Sequence, residues 1–160
     1  MSKLSEMIGK RIPRFKLQDQ GNNWVHSDFL VGRSKLVIYF YPKDDTPGCT
    51  AEACSFRDAF EIFREYECEV VGISSDSPES HQQFAEKYKL PFTLLSDPGN
   101  KIRNQFGVPG YLFGLLPGRV TYIVDYEGVI RHVFNSPFQS SRHVNESLEA
   151  LKSIDYDRVK

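Results

Sequence analysis

Stretches of apolar residues divide this chain into segments that alternate between strand-like and helix-like patterns. Three are continuous runs rich in β-branched and aromatic residues, typical of strands buried on both faces, and they cover residues 35–41, 70–74 and 119–124. Between the first two runs, Ala53, Phe56, Phe60 and Phe63 recur every three or four residues, which predicts a helix with a single apolar stripe. A strand, a helix and a strand in this order predict a right-handed crossover between parallel strands.

Shorter patterns complete the sheet and its helices. Turn-forming residues at 19–23 separate candidate strands at 13–17 and 24–26, which predicts a hairpin near the amino end. Ser77, followed by Pro78, predicts a helix start, since serine caps helices and proline suits the first turn. The other predicted elements are a helical turn at 27–30, strands at 91–95 and 129–134, a short helix at 101–106 and a last helix capped by Ser141. This order predicts an α/β protein with a mixed central sheet and helices on both faces, a three-layer α/β sandwich.

Composition and charge restrict the class of protein. A chain of 160 residues, 40% of them hydrophobic, is long enough for a full core, and we expect a single domain over residues 1–160. The formal net charge is −1, from 20 basic and 21 acidic residues without a basic cluster, so we expect no nucleic-acid partner and no membrane partner. Because the amino end lacks the apolar core of a signal peptide, we expect a cytoplasmic protein.

Two of the three cysteines lie where a turn leads into the first long helix. Cys49 stands at the predicted helix start, where unpaired backbone N–H groups and the positive end of the helix dipole favour the reactive thiolate. Cys54 comes five residues later, a spacing that separates two helical Cα atoms by roughly 8–9 Å, whereas a disulfide tolerates only about 7 Å. A disulfide between them would require an unwound helix start, which suits a bond made and broken in turnover. The alternative is that both are inert core thiols.

The sequence predicts no metal site and no cofactor. Structural zinc is usually held by two close pairs of ligands, and the cysteine pair has no second pair to complete it. The four histidines are scattered and match no ligand spacing; they are His26, His81, His132 and His143. Three cysteines in 160 residues also do not fit the disulfide scaffold of a small secreted protein.

The turn before the first of these cysteines carries groups suited to a small oxygen-containing ligand. Pro47 and Gly48 let the backbone bend tightly and approach a ligand closely. Thr46 offers a hydroxyl group that both donates and accepts, and Pro42 can exclude water. An ordinary loop with Thr46 as a helix cap explains the same residues. Two further residues of the turn are interpreted as solvated, Asp44 and Asp45.

The residues from Pro42 to Cys49 resemble the active-site pattern of the peroxiredoxins: a proline, three residues, a threonine, two residues and a reactive cysteine. A second cysteine five residues after the first resembles the peroxiredoxin Q branch, also called bacterioferritin comigratory protein. The resemblance runs from Pro13 to the last helix and covers nearly the whole chain. It implies a thioredoxin-like fold with an N-terminal β-hairpin, in agreement with the strand order above.

The resemblance also implies an activity and residue roles. The chain would be a thiol-dependent peroxidase that reduces hydrogen peroxide and organic hydroperoxides, recycled by thioredoxin or a similar dithiol reductant. Cys49 would be the peroxidatic cysteine, oxidised to a sulfenic acid, and Cys54 would resolve it as an intramolecular disulfide. The other implied roles fall to Thr46, which would hydrogen-bond the thiolate and the peroxide, Pro42, which would shield the intermediate, Arg119, the active-site arginine, and Glu52, which would help to hold that arginine.

Alternatives to this assignment are open on the sequence alone. One is a thiol–disulfide exchange protein on the same fold, although its usual Cys-x-x-Cys spacing is absent. Another is a non-enzymatic redox sensor. Without the resemblance, Arg119 is best interpreted as a surface charge at a strand end. Cys68 is interpreted as a packing residue and not as a second resolving thiol.

Substrate access and assembly are less closely determined. Four apolar residues near the loop at 110–118 form either an entrance for organic hydroperoxides or part of the core; they are Phe106, Leu112, Phe113 and Leu116. A resolving cysteine in the same chain removes one need for a dimer, so we expect a monomer.

Overall fold

A seven-stranded mixed sheet is the centre of the fold in the computed structural model, which describes residues 4–111, 116–137 and 139–159. The strands in chain order are β1 (Lys16–Asp19), β2 (Trp24–His26), β3 (Lys35–Phe40), β4 (Cys68–Ser74), β5 (Thr93–Ser96), β6 (Gly110–Tyr111), β7 (Leu116–Pro117), β8 (Val120–Val124) and β9 (Ile130–Asn135). The helices are α1 (Ser27–Leu30), α2 (Pro47–Asp58), α3 (Phe60–Glu65), α4 (Pro78–Tyr88), α5 (Lys101–Gln105) and α6 (Ser140–Val159). Strands β6 and β7 pair with each other outside the main sheet.

The order of the main sheet is β2-β1-β5-β4-β3-β8-β9. Its middle strands β3, β4 and β5 run parallel, with helices in the crossovers between them. The flanking strands pair antiparallel, and β1 with β2 forms a hairpin at one edge. The predicted parallel crossover, mixed sheet and N-terminal hairpin are therefore confirmed.

Strand β3 explains why a central strand reads as an uninterrupted apolar run. Successive side chains of a strand point to opposite faces, and each face of this one meets a hydrophobic core. Val37 and Tyr39 pack in one core with α2, whereas Leu36 and Ile38 pack in a second core on the other face. Since every residue of β3 is buried, no position along it is left for a polar side chain facing water.

The two faces are covered unequally. Helices α2, α3, α4 and α6 contribute to the core that contains Cys49. The opposite core is closed by α5, by α1 and by the segment before β1. Helices thus lie on both faces, as the order of elements predicts, and the long ones share the face that carries the cysteine.

Local details depart from the sequence pattern in two places. The helix predicted to run through Phe56 and Phe63 breaks at the buried residue Ala59, which has φ −96° and ψ 6°. The break brings the rings of Phe56 and Phe63 to 5.7 Å between centroids, a contact that stabilises the bend. Helix α6 begins at Ser140, one residue before the predicted cap. In the ranges given above, none of the helices combines the length and apolarity needed to cross a membrane.

Candidate active site

Cys49 lies in the first turn of α2, on the core face of the helix. Its side chain is 1% exposed, yet its sulfur is not surrounded by hydrocarbon alone, because Arg119 Nη2 donates to Sγ over 3.4 Å. Helix α2 begins at Pro47, where proline suits the first turn. The sulfur therefore has a guanidinium and the positive end of a helix dipole as its neighbours.

Arg119 reaches Cys49 from the start of the strand that lies beside β3. It directly precedes β8, whose antiparallel register with β3 places Val120 opposite Phe40. Its guanidinium donates from Nη1 to Glu52 Oε1 at 2.6 Å, and from Nε to the Pro137 carbonyl oxygen at 3.4 Å. Burial by itself lowers the pKa of Arg119, but the charges of Glu52 and Cys49 raise that pKa above its ordinary value. The arginine is therefore a fixed cation, and its interpretation as a solvated surface charge is wrong.

Gly48 leaves the space that this guanidinium occupies. A Cβ at position 48 would lie 3.0 Å from Arg119 Nη2. The carbonyl oxygen of Gly48 accepts a hydrogen bond of 2.9 Å from the Ser140 hydroxyl, which ties the first turn of α2 to the start of α6. The glycine thus serves close packing against the arginine as well as a tight turn.

Glu52, one turn after Cys49, is completely buried. One carboxylate oxygen, Oε1, accepts from Arg119, whereas the other, Oε2, has no hydrogen-bond partner in the part of the chain that the structure describes. Burial raises the pKa of Glu52 to about 7, even though the charge and hydrogen bond of Arg119 act in the opposite direction. This carboxyl group therefore titrates near neutral pH.

Thr46 and Pro42 lie in the loop that joins β3 to α2, and both are half-buried. The Thr46 hydroxyl donates to the Lys43 carbonyl oxygen at 2.8 Å. Its side chain makes no capping bond to α2, so the explanation of Thr46 as a side-chain cap does not hold. Because the hydroxyl hydrogen of Thr46 is used in the bond to Lys43, the Thr46 oxygen can still accept hydrogen bonds through its lone pairs.

A second buried arginine, Arg103 of α5, was not indicated by the sequence. Its guanidinium donates to the Tyr41 carbonyl oxygen at 2.8 Å and to the Gly118 carbonyl oxygen at 2.7 Å, so it joins the segments that lead to Pro42 and Arg119. Burial lowers the pKa of Arg103 to about 10, which leaves it charged at neutral pH. A charged residue in a short helix usually faces solvent, and nothing in the spacing distinguishes this one.

Asp44, interpreted from the sequence as solvated, is 7% exposed. Its carboxylate accepts from the Tyr41 hydroxyl at 2.6 Å and from the Ser80 hydroxyl at 2.8 Å, and it contacts His81 Nδ1 at 2.7 Å. The loop folds under α4, so this carboxylate becomes the centre of a buried polar network. Asp45 does face solvent and pairs with Lys87 and Tyr88.

The structure places the other two cysteines and one candidate entrance residue, Phe106, in different environments. Cys54 is a half-buried thiol inside the unbroken helix α2, and Cys68 is a buried thiol at the start of β4. Phe106 is fully buried in the core on the opposite face of the sheet, which fits the packing alternative. Leu112 and Phe113 lie outside the described residues, and Leu116 is described only as backbone of β7.

His143, on α6, is a further buried residue of this site that sequence spacing did not single out. Its Nδ1 lies 2.7 Å from the Thr121 hydroxyl and 3.4 Å from Glu52 Oε2, and its Nε2 lies 2.9 Å from the Ser136 carbonyl oxygen. Burial lowers the pKa of His143 to about 4. Its position two residues after the predicted cap of the last helix was the sole sequence signal.

Known proteins match this chain over most of its length. The model of the AhpC/TSA family matches residues 8–133. A chloroplastic peroxiredoxin Q of Sedum lineare is 53% identical over 146 residues, which are 91% of this chain and 78% of the relative. The solved peroxidoxin BcpB of Mycobacterium tuberculosis superposes with a TM-score of 0.85 at 35% identity, covering 92% of this chain and 97% of the other. The bacterioferritin comigratory protein of Xanthomonas campestris, whose trapped intermediate/ligand complexes give insight into its alkyl peroxide reduction activity, superposes with a TM-score of 0.79 at 30% identity, covering 87% and 90%.

Proposed function

Since the chain belongs to the AhpC/TSA family, in its peroxiredoxin Q branch, and is a thiol-dependent peroxidase with a thioredoxin-like fold, we propose that Cys49 is its peroxidatic residue. The observation that supports this most directly is the 3.4 Å contact between the Cys49 sulfur and the Arg119 guanidinium at a helix start. Membership of the family favours a peroxidase over the exchange protein and the sensor.

In the proposed first step, the Cys49 thiolate attacks one oxygen of the peroxide. A sulfur–oxygen bond forms and the oxygen–oxygen bond breaks, so sulfur is oxidised to a sulfenic acid and the leaving oxygen takes a proton to become water or an alcohol. Arg119 stabilises the charge that develops on the oxygens, and Glu52 holds its guanidinium. Thr46 accepts a hydrogen bond from the peroxide, and Pro42 limits the access of water.

In the proposed second step, the Cys54 thiol attacks the sulfenic sulfur, a disulfide forms and water leaves. Because α2 runs without a break through both cysteines, its first turn must unwind before the sulfurs can join. A dithiol reductant, which we propose to be thioredoxin or a protein of similar chemistry, then supplies two electrons through thiol–disulfide exchange.

The substrate range and setting are also part of the proposal. We include organic hydroperoxides with hydrogen peroxide, and the alkyl peroxide reduction activity of the Xanthomonas campestris protein supports this choice. We propose a monomer because both cysteines belong to one chain. A cytoplasmic location stays a prediction of the sequence, and relatives such as that of Sedum lineare are named chloroplastic.

The test is a coupled assay in which thioredoxin, its reductase and NADPH report turnover of hydrogen peroxide and of cumene hydroperoxide. Cys49→Ser abolishes turnover, and Cys54→Ser permits one oxidation of Cys49 and then stops. Cys68→Ser is the matched control and keeps the parent rate. Peroxide consumption by Cys49→Ser at the parent rate would contradict the assignment.

A further inference from the structure

A buried contact behind the active-site arginine is not used by the mechanism above. His143 of α6 and Glu52 of α2 are both 0% exposed, and Nδ1 of the histidine lies 3.4 Å from Oε2 of the carboxylate. Among the described residues, no group donates a hydrogen bond to that oxygen. A buried carboxylate oxygen without a donor is costly, so its position opposite an imidazole nitrogen requires an explanation.

The neighbours of the imidazole determine where its proton lies. Nε2 is 2.9 Å from the Ser136 carbonyl oxygen, which can only accept, so Nε2 carries the proton. The other nitrogen, Nδ1, then has a lone pair, and the Thr121 hydroxyl donates to it at 2.7 Å. Burial lowers the pKa of His143 to about 4, which agrees with a neutral ring at neutral pH.

The neutral ring meets Glu52 differently in the two states of the carboxyl group. When Glu52 is ionised, lone pairs of Oε2 and Nδ1 face each other. When Oε2 carries a proton, that proton can be donated to Nδ1, and the hydroxyl of Thr121 competes for the same lone pair. The burial that raises the pKa of Glu52 to about 7 makes both states accessible near neutral pH.

The charges around Arg119 connect protonation of Glu52 with ionisation of Cys49. The guanidinium contacts two groups that can each be negative, Glu52 and Cys49. Two anions beside one cation in a buried site repel each other, so ionisation of one favours protonation of the other. A place for a proton on Glu52 therefore assists ionisation of Cys49.

We propose that His143 is a positioning residue for the peroxidase reaction: as the Cys49 thiol ionises, Glu52 takes up a proton at Oε2, and Nδ1 of His143 accepts the resulting hydrogen bond. One proton leaves sulfur and one is bound by the carboxylate, so the site keeps the same total charge. Arg119 then faces a single anion, the thiolate. This inference rests on the proposed role of Cys49.

Other titratable and charged groups face this pair, and their elements are all packed against it. They are Cys49 on α2, Tyr39 on β3, Arg119 before β8, and Arg142 and Glu146 on α6. Burial raises the pKa of Tyr39 well above its ordinary value, so its hydroxyl stays protonated. Tyr39 therefore takes no part in the proposed proton transfer between Cys49 and Glu52.

The test measures ionisation of Cys49 without peroxide. In a Cys54→Ser, Cys68→Ser background, Cys49 is the remaining thiol, and its rate of alkylation by iodoacetamide is followed from pH 4 to pH 10. His143→Gln can retain a donor for Ser136 but has no acceptor at Nδ1, so we expect the midpoint to rise by about one pH unit, equal to about a tenfold slower reaction at low pH. Thr121→Val removes the competing donor, so we expect the midpoint to fall by about half a unit.

Opposite signs distinguish this role from loosened packing. A merely structural role of His143 would shift both variants in the same direction or neither, and either result overturns the proposal. His132→Gln is the control: this histidine is partly exposed, pairs with Glu146 on α6, and should leave the midpoint unchanged. Failure of the proposed peroxidatic role of Cys49 can be distinguished from failure of the His143 proposal. The first would appear in the turnover assay of Cys49→Ser, and the second in the alkylation midpoints.

Discussion

At the scale of single residues, Arg119 has the largest part in the environment of Cys49. Its guanidinium reaches Glu52 Oε1 at 2.6 Å and the Cys49 sulfur at 3.4 Å through two different nitrogens. A lysine ammonium is a compact point charge that lacks this planar fork and cannot hold both groups in the same geometry. The planar shape of the guanidinium, as well as its charge, is therefore needed to contact Glu52 and Cys49 together.

We predict that Arg119→Lys lowers the second-order rate constant for hydrogen peroxide by about 10²-fold, the usual order for losing one positioned donor to a developing oxyanion. Rapid mixing with peroxide, followed by protein fluorescence or by a competing peroxidase, measures the constant. Arg64→Lys, in a surface arginine paired with Glu61, is the control and should react at the parent rate. A fast Arg119→Lys enzyme would show that positive charge alone is sufficient.

Two adjacent aspartates illustrate how little residue type decides at this scale. Asp44 is buried and accepts from Tyr41 and Ser80, whereas its neighbour Asp45 is exposed and pairs with Lys87. Nothing in the pattern Asp-Asp within a turn distinguishes them. The difference arises because α4 covers one side of the loop.

We predict that Asp44→Ala lowers the free energy of unfolding by about 2–4 kcal/mol, since the hydroxyl groups of Tyr41 and Ser80 lose their acceptor and buried His81 loses its polar neighbour. Asp45→Ala is the matched control, and its urea midpoint should stay close to that of the parent because exposed ion pairs contribute little. Urea unfolding of both variants compares them. Equal losses in the two would contradict the assignment of Asp44 as the centre of the network.

At the scale of elements, the proposed disulfide between Cys49 and Cys54 requires that the first turn of α2 open. Its first turn is closed by the hydrogen bond from Thr50 N–H to the Thr46 carbonyl oxygen and is held from outside by Ser140, which donates to Gly48. Phe56, farther along, stacks on Tyr39 with 4.6 Å between ring centroids. This stacking would hold the second half of α2 in place if the first turn opened.

We predict that disulfide formation speeds amide hydrogen exchange in the segment 48–54 by about tenfold or more, since local opening replaces helical hydrogen bonds. Mass spectrometry of peptic peptides from reduced and peroxide-treated protein measures it, with α6 as an internal reference. The Cys68→Ser protein should show the same increase, and the Cys54→Ser protein should not. Unchanged exchange in an oxidised parent would mean that the sulfurs join without unwinding α2.

At the scale of the whole molecule, the sheet brings distant segments to one point. Glu52 and Arg119 are 67 residues apart along the chain, and Cys49 and Arg119 are 70 apart. The antiparallel pairing of β8 with β3 puts the arginine beside the cysteine's loop, and α6 then packs on α2 and β8. The site therefore depends on correct assembly of the sheet before any of its contacts can form.

The free energy of unfolding of the whole chain should depend on pH through Glu52 and His143. The pKa of Glu52 is raised from 4.5 to about 7, so this group contributes stability that is lost as pH rises through that window. The pKa of His143 is lowered from 6.5 to about 4, so this group contributes stability that is lost as pH falls through that window. The two slopes oppose each other where the windows overlap.

We predict that His143→Gln makes the free energy of unfolding fall as pH rises above about 4.5, with a slope approaching 1.4 kcal/mol per pH unit. The fall ends below pH 7, because Nδ1 no longer stabilises protonated Glu52. Glu52→Gln should show the reverse, a free energy that rises with pH between about 4 and 6.5. Denaturant titrations at several pH values give the slopes, and the parent should be flatter than either variant in the overlap. Parallel profiles for the two variants would disprove opposing titrations.

The sequence by itself was sufficient for the features that arise from near neighbours. Continuous apolar runs, turn residues and the helical period predicted the strands, the crossover and the α/β class. Residue type predicted the Ser77 cap, which is confirmed by the 3.1 Å hydrogen bond from Ser80 N–H to its hydroxyl oxygen. The spacing from Pro42 to Cys49 identified the family, because that turn is local chemistry. A glycine such as Gly72 shows the limit: its meaning, space for the ring of Tyr39, appears only when β3 and β4 lie side by side.

Only the tertiary structure decided the features that join distant segments. It showed Arg119 as a buried partner of Cys49, Arg103 as a tie between two loops, Asp44 as a buried acceptor and His143 as the neighbour of Glu52. Charged and polar residues carry no periodic signal for burial, because their energy inside a protein depends on partners that the fold brings near. Sequence spacing therefore selected Cys49 as the candidate reactive residue, and strand register and helix packing determined which groups surround its sulfur.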